Sequence, residues 1–182
     1  YIEKLAAIRE QMKADDVQAY IIPSADPHMS EYLPKHYKCI PFVSGFRGSA
    51  GTLVITQDFA GLWTDGRYFE QAAEQLAGSG FELVKLKVQH NPEYIQWLGA
   101  TLPKGAVVAS DEKLLSILSG DLLTQNLSAK GIRLADHDYL GPIWENRPDL
   151  PTDTAFLVED EHIGQTVSDK LRQVREVLTK KQ

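Results

Sequence analysis

A single cysteine, Cys39, in 182 residues excludes an internal disulfide and suits a reducing compartment. No apolar run approaches the roughly 20 residues that a membrane-spanning helix needs. No basic tract is present either. With a formal net charge of -6 and a pI of about 5.4, nothing in the sequence would draw nucleic acid or an anionic membrane surface. No secretory leader opens the sequence, so the Asn126-Leu127-Ser128 sequon reads as chance and a cytoplasmic location is expected. The start at Tyr1 rather than methionine leads us to expect a trimmed front. Most informative of all, no complete catalytic apparatus can be assembled from the residues present.

What is there is an ordinary globular composition, 43% hydrophobic and 24% charged, long enough to bury a core. Ile2, Leu5, Ile8 and Met12 recur three or four apart and predict an amphipathic helix over residues 2–14. Residues 17–22 read as a buried strand stopped by Pro23. Residues 52–56 and 59–64 read as a hairpin about Gln57-Asp58. A helix over 67–77 with Gly78 as its C-cap follows, then a strand over 81–88 and a short helix over 92–98. A strand over 106–109, a long helix over 111–127 and a strand over 132–134 close the pattern. The expected fold is α/β, a mixed β-sheet flanked by helices on both faces.

Pro142, Pro148 and Pro151 make residues 141–154 a stiff domain exit, pinned to the body by Trp144. Residues 166–181 form another amphipathic helix, and it repeats the first. Lys4-Leu5-x-x-Ile8-Arg9-Glu10-x-Met12 returns as Lys170-Leu171-x-x-Val174-Arg175-Glu176-x-Leu178. The expected organisation is a domain over 1–150, a proline-rich linker over 151–164, and over 165–182 the first helix of a truncated second copy.

The corner Trp63-Thr64-Asp65-Gly66-Arg67-Tyr68 is the leading functional candidate. If Asp65 caps the helix beginning near Gly66, Arg67 sits in its first turn, where the helix dipole disfavours a cation. Either Asp65, Arg67 and Glu70 form a structural cluster, or Arg67 points away from its helix toward an anion or carbonyl outside the domain.

Gly45, Gly48 and Gly51 recur at three-residue spacing, but no lysine follows as a phosphate-binding loop requires, and a strand rather than a helix comes next. They read as turn and close-approach positions. Asp26, His28 and Glu31 lie close together in a loop, without the helical histidine pair or cysteine partner that would support a metal. A hydrogen-bonded loop is the better account. His36-x-x-Cys39 lacks the third group that would orient a base toward a thiolate. His90, His137 and His162 are isolated and carry no assigned role.

Three linked stretches carry a resemblance. They are Ala19-Tyr20-Ile21-Ile22-Pro23-Ser24 with His28-x-Ser30-Glu31-Tyr32, Phe42-Val43-Ser44-Gly45-Phe46 with Gly48-Ser49-Ala50-Gly51-Thr52, and Trp63-Thr64-Asp65-Gly66-Arg67-Tyr68-Phe69. Together they resemble the N-terminal domain of long, three-domain Xaa-Pro aminopeptidases, with Ile143-Trp144 and Arg147-Pro148 at the end of that domain. The resemblance implies a creatinase/prolidase N-terminal fold in a parent enzyme that removes the first residue of peptides with proline second. It implies two divalent metal ions, commonly manganese, held by Asp, Asp, His, Glu and Glu in a downstream catalytic domain of the same chain. None of those ligand motifs lies here, so the resemblance assigns these residues no metal ligand and no catalytic residue. It assigns substrate contact to Arg67, with Asp65, Tyr68 and His28 as supporting candidates, and gives Arg47 no role. It implies a peptide partner and a possible homodimer.

Two other readings share the fold. A non-catalytic protein-binding module of a pita-bread pseudoenzyme suits the mildly acidic charge. A sister metallohydrolase such as a prolidase or creatinase is disfavoured by the apparent second N-terminal domain.

Overall fold

The computed structural model describes residues 1–89 and 91–181, so His90 lies outside the described residues. The chain divides into two compact units, Tyr1–Leu150 and Pro151–Gln182.

The first unit begins with helix α1, Ile2–Ala14, which buries Leu5, Ile8 and Met12 along one stripe, as their spacing predicts. Strand β1, Ala19–Pro23, follows. Strands β2 (Thr52–Ile55), β3 (Ala60–Thr64), β4 (Glu82–Lys85), β5 (Val107–Ser110) and β6 (Arg133–Asp136) complete one sheet in the order β4-β3-β2-β1-β5-β6. The hairpin makes β2 antiparallel to both neighbours, while β3–β4, β1–β5 and β5–β6 pair in parallel. Proline at the end of β1 is tolerated because Pro23, opposite Thr52, is the last residue of its ladder.

The sheet is covered on both faces, as expected. Alternation along β1 sends Tyr20 and Ile22 to one side and Ala19 and Ile21 to the other. On the first side lie α1, α2 (Cys39–Ser44) and α3 (Phe69–Gln75). On the second lie α4 (Glu93–Thr101) and α5 (Ile117–Leu127). Strands buried on both faces need apolar residues at every position, which is why 19–22 and 53–55 read as unbroken apolar runs.

Two predicted helices are corrected. The helix expected over 111–127 is broken in two. The Asp111 carboxylate accepts from Lys113 N–H and closes a 3₁₀ turn at Glu112–Leu114. Leu115 is extended, and Ser116 restarts the chain as the N-cap of α5 by accepting from Ser119 N–H. The helix expected over 67–77 runs only from Phe69 to Gln75, and Gly78 adopts φ +72° in the turn beyond it.

Toward the end of the unit, Trp144 stacks flat on Phe42, with ring centres 4.0 Å apart. Arg147 reinforces this region through its donation to the His36 carbonyl and its ion pair with Asp138.

In the second unit α6 (Asp160–Ile163) precedes α7 (Val167–Lys180). Thr166 caps α7 by accepting from Asp169 N–H. The α7 residues equivalent by sequence to the buried stripe of α1, namely Leu171, Val174 and Leu178, are exposed by 48%, 56% and 58%.

Candidate functional site

Because β2 alone runs against the other strands, its first residue and the C-terminal ends of the other five share one edge of the sheet. In open α/β sheets that edge is where sites form. Here it collects all three stretches singled out in the sequence: the loop after β1, the glycine loop before β2, and the corner after β3.

The corner is built from Asp65 outward. β3 ends where the Thr64 hydroxyl donates to the Ala50 carbonyl at 2.7 Å. The Asp65 Oδ1 accepts from the Arg67 N–H at 3.1 Å, and Tyr68 N–H donates to the Asp65 carbonyl at 3.0 Å, closing a tight turn. The Arg67 guanidinium forks the same carboxylate, Nε to Oδ1 at 2.9 Å and Nη2 to Oδ2 at 2.8 Å. The hydrogen bonds to Asp65, with its charge, hold the guanidinium pKa above its ordinary value against the opposing effect of burial.

The cap expected from Asp65 is therefore corrected. Its carboxylate serves the turn and the fork, the chain needs the whole turn before a helix can begin, and Tyr68 becomes the N-cap of α3. Arg67 thus precedes the first helical turn and escapes the dipole penalty. Its ion pair is with Asp65 and not with Glu70. The Asp65 side chain is 7% exposed and that of Arg67 is 53% exposed, so a buried anion holds a cation whose outer edge faces solvent. The fork uses Nε–H and one Nη2–H, which leaves three guanidinium hydrogens uncommitted to it.

Tyr68 ties the corner to the glycine loop. The Arg67 guanidinium lies 5.3 Å from the centre of its ring, the ring edge meets Phe46, and its hydroxyl is 2.6 Å from Ser49 Oγ. The glycines permit this approach. Gly45 closes α2 at φ +85°, and a Cβ on Gly48 would collide with the Phe46 and Tyr68 rings. Ser24, after β1, completes the edge by donating from its N–H to the Gly51 carbonyl and from its hydroxyl to the Ser49 carbonyl.

Asp65, Arg67 and Tyr68 are thus brought together. His28 is not: it is exposed in the loop after β1, and among the described residues its imidazole has no hydrogen-bond partner. That loop is hydrogen-bonded as expected, with the buried Asp26 Oδ1 accepting from His28 and Ser30 N–H groups. Burial pushes the Asp26 carboxyl up, but the Ser30 and His28 bonds outweigh it and hold the group below the usual carboxylate range. Cys39 lies buried, its thiol pushed up to about 12 chiefly by that burial, which makes it a poor nucleophile. His36 instead places Nδ1 2.7 Å from the Pro148 carbonyl, His137 stacks on Tyr139, and His162 faces Glu161. Among the described residues no three His, Cys, Asp or Glu side chains are grouped to hold a metal ion, so a dinuclear centre does not fit these residues.

Ser49 is the partner that sequence reasoning missed. Its one signal was a hydroxyl set between Gly48 and Gly51.

Comparison with known proteins bears on this edge and its sheet. The family model of the Creatinase/Prolidase N-terminal domain matches residues 4–143. The chain belongs to that family. A Laccaria bicolor protein named "Probable Xaa-Pro aminopeptidase P" is 38% identical over 182 residues, covering 98% of this chain and 28% of its own length. Drosophila melanogaster Xaa-Pro aminopeptidase ApepP is 39% identical over 168 residues, 91% of this chain and 27% of its own. The crystal structure of the Caenorhabditis elegans X-prolyl aminopeptidase, described as a cytosolic enzyme with a di-nuclear active site, superposes with a TM-score of 0.81. It shares 32% identity over 99% of this chain and 31% of that one. The chain therefore spans less than a third of the length of these relatives, and it carries their creatinase/prolidase N-terminal fold.

Proposed function

We propose that this chain is the non-catalytic N-terminal domain of an Xaa-Pro aminopeptidase, which releases the first residue from peptides with proline second. Similarity along nearly the whole chain to proteins so named supports this reading. In the parent, two divalent metal ions, commonly manganese in such enzymes, would activate water in the downstream catalytic domain. This domain narrows access to that centre and contacts the peptide through Arg67.

The observation that carries the assignment to Arg67 is its exposed guanidinium, forked by the buried Asp65. A cation fixed in that way meets a peptide carbonyl or carboxylate without first losing the freedom of a long side chain. The Tyr68 ring, 5.3 Å from the guanidinium, supports it as a cation–π partner. His28, exposed in the loop after β1, is proposed as a further supporting contact.

Residues 1–150 form the domain, 151–164 a linker, and 165–182 the first helix of a second, creatinase-like domain. The exposure of Leu171, Val174 and Leu178, whose α1 counterparts are buried, supports the last assignment. We propose a cytoplasmic parent, for which a homodimer is one possible assembly.

The test is kcat/KM of the full-length parent on a short Xaa-Pro peptide with manganese, wild type beside Arg67→Ala. Loss of one charge-assisted bond predicts a variant about 10- to 100-fold slower with folding intact. An unaffected variant returns Arg67 to a structural role in the corner. Turnover by the isolated, purified chain would overturn the non-catalytic assignment.

A further inference from the structure

A cavity of about 380 Å³ opens beside the corner, between the loop after β1, the start of α2 and the glycine loop. Nothing described so far uses it, and its size falls within the range of ligand sites. Leu33, Tyr37, Ile40 and Pro41 supply an apolar lining, and Lys38 and Arg47 bring two cations to it. Glu31 is the single carboxylate on the lining, so the cavity carries an excess of positive charge in a chain whose net charge is -6. Both cations are exposed, and among the described residues neither side chain makes an ion pair. The Arg47 backbone is nevertheless held, its N–H donating to Gln75 Oε1 of α3 at 2.8 Å.

The cavity and the corner share a wall. Ser49 lines the cavity, and its Oγ is 2.6 Å from the Tyr68 hydroxyl, on whose ring the Arg67 guanidinium rests at 5.3 Å. The contacts Arg67–Tyr68 and Tyr68–Ser49 thus link the corner to the cavity lining residue by residue, a path that an extended peptide could follow.

We infer that this cavity is a subsite for the downstream part of a longer peptide substrate. It takes an apolar side chain against Leu33, Ile40 and Pro41, and Lys38 and Arg47 receive the peptide's C-terminal carboxylate. The inference rests on the reading of Arg67 as a substrate contact. It names a substrate class for the site, peptides several residues longer than the Xaa-Pro unit, with an apolar residue near an acidic end. The buried, protonated Cys39 thiol on the lining makes this a binding site and not a reactive one.

The experiment compares full-length parent with its Lys38→Glu/Arg47→Glu and Arg67→Ala variants on Xaa-Pro peptides of three to eight residues ending in apolar sequence. The readout is the ratio of kcat/KM for the longest peptides to that for the tripeptide. The double charge reversal is expected to lower this ratio about 10-fold without changing the melting temperature. An unchanged ratio, or an equal loss at every length, overturns the subsite. So does a fall in melting temperature with the ratio preserved, which would mark the face as packed against the rest of the parent. Arg67→Ala reports on the corner separately. A loss at every length supports the corner as substrate contact, and no loss at any length refutes that contact whatever the double variant shows.

Discussion

Arg67 shows why residue type and position alone leave a choice open. Its sequence setting allowed either a structural cluster or an outward-facing cation, and the structure combines parts of both. Asp65 fixes the guanidinium, and the Arg67 side chain still keeps about half its surface in solvent. Glu70, close by in sequence, takes no part in the pair, because Arg67 lies in the turn and not on the helix where an i,i+3 pair could form.

Gly48 makes the complementary point about absence of a side chain. A methyl group there would strike Phe46, which is fully buried and has nowhere to retreat. Gly48→Ala is expected to destabilise the domain by about 1–3 kcal/mol and to loosen the Tyr68–Ser49 contact. The control is Gly66→Ala, where the nearest atom a Cβ would meet is Phe69 Cε2 at 3.8 Å. Urea denaturation of both variants checks this; equal midpoints would show that the glycine loop yields and that close approach does not explain its glycines.

Among the elements, α5 is where local propensity and tertiary need part company. Ser116 gives it a proper start, yet Gly120 lies in its second turn. A Cβ on Gly120 meets nothing within 4 Å, so no packing demand explains the glycine. Gly120→Ala is expected to raise stability by about 0.5–1 kcal/mol, read as a shift in denaturation midpoint at constant slope. A loss of stability would mean that this face of α5 needs the extra backbone freedom.

The same element shows what sequence periodicity cannot see. Residues 111–127 contain enough apolar spacing for one helix, but two side-chain oxygens, those of Asp111 and Ser116, each seize a backbone N–H and divide it. Strands were more legible. The apolar runs at 19–22 and 53–55 announced a sheet buried on both sides, and the turn at Gln57-Asp58 announced the antiparallel hairpin.

At the scale of the molecule, every buried core residue lies between Leu5 and Leu140 among the described residues. Removal of residues 151–182 is therefore expected to leave the denaturation midpoint of the first unit unchanged. A lower midpoint for the 1–150 chain would show that the second unit supports the first. α7 by itself, with its apolar stripe exposed, is short enough to be marginal as an isolated helix in water.

The sequence by itself determined the alternation of helices and strands, the mixed sheet, the glycine spacing and the arginine at the corner. These follow from interactions between residues near one another in the chain: periodicity, capping and turn chemistry. The tertiary structure alone decided which side chains meet. Ser49 reaches Tyr68 across 19 positions, and Trp144 reaches Phe42 from the far end of the unit. The cavity exists only where the loop after β1, the start of α2 and the glycine loop converge. Such contacts depend on how the sheet orders its strands, and strand order is set by the packing of the whole core, which no local pattern specifies.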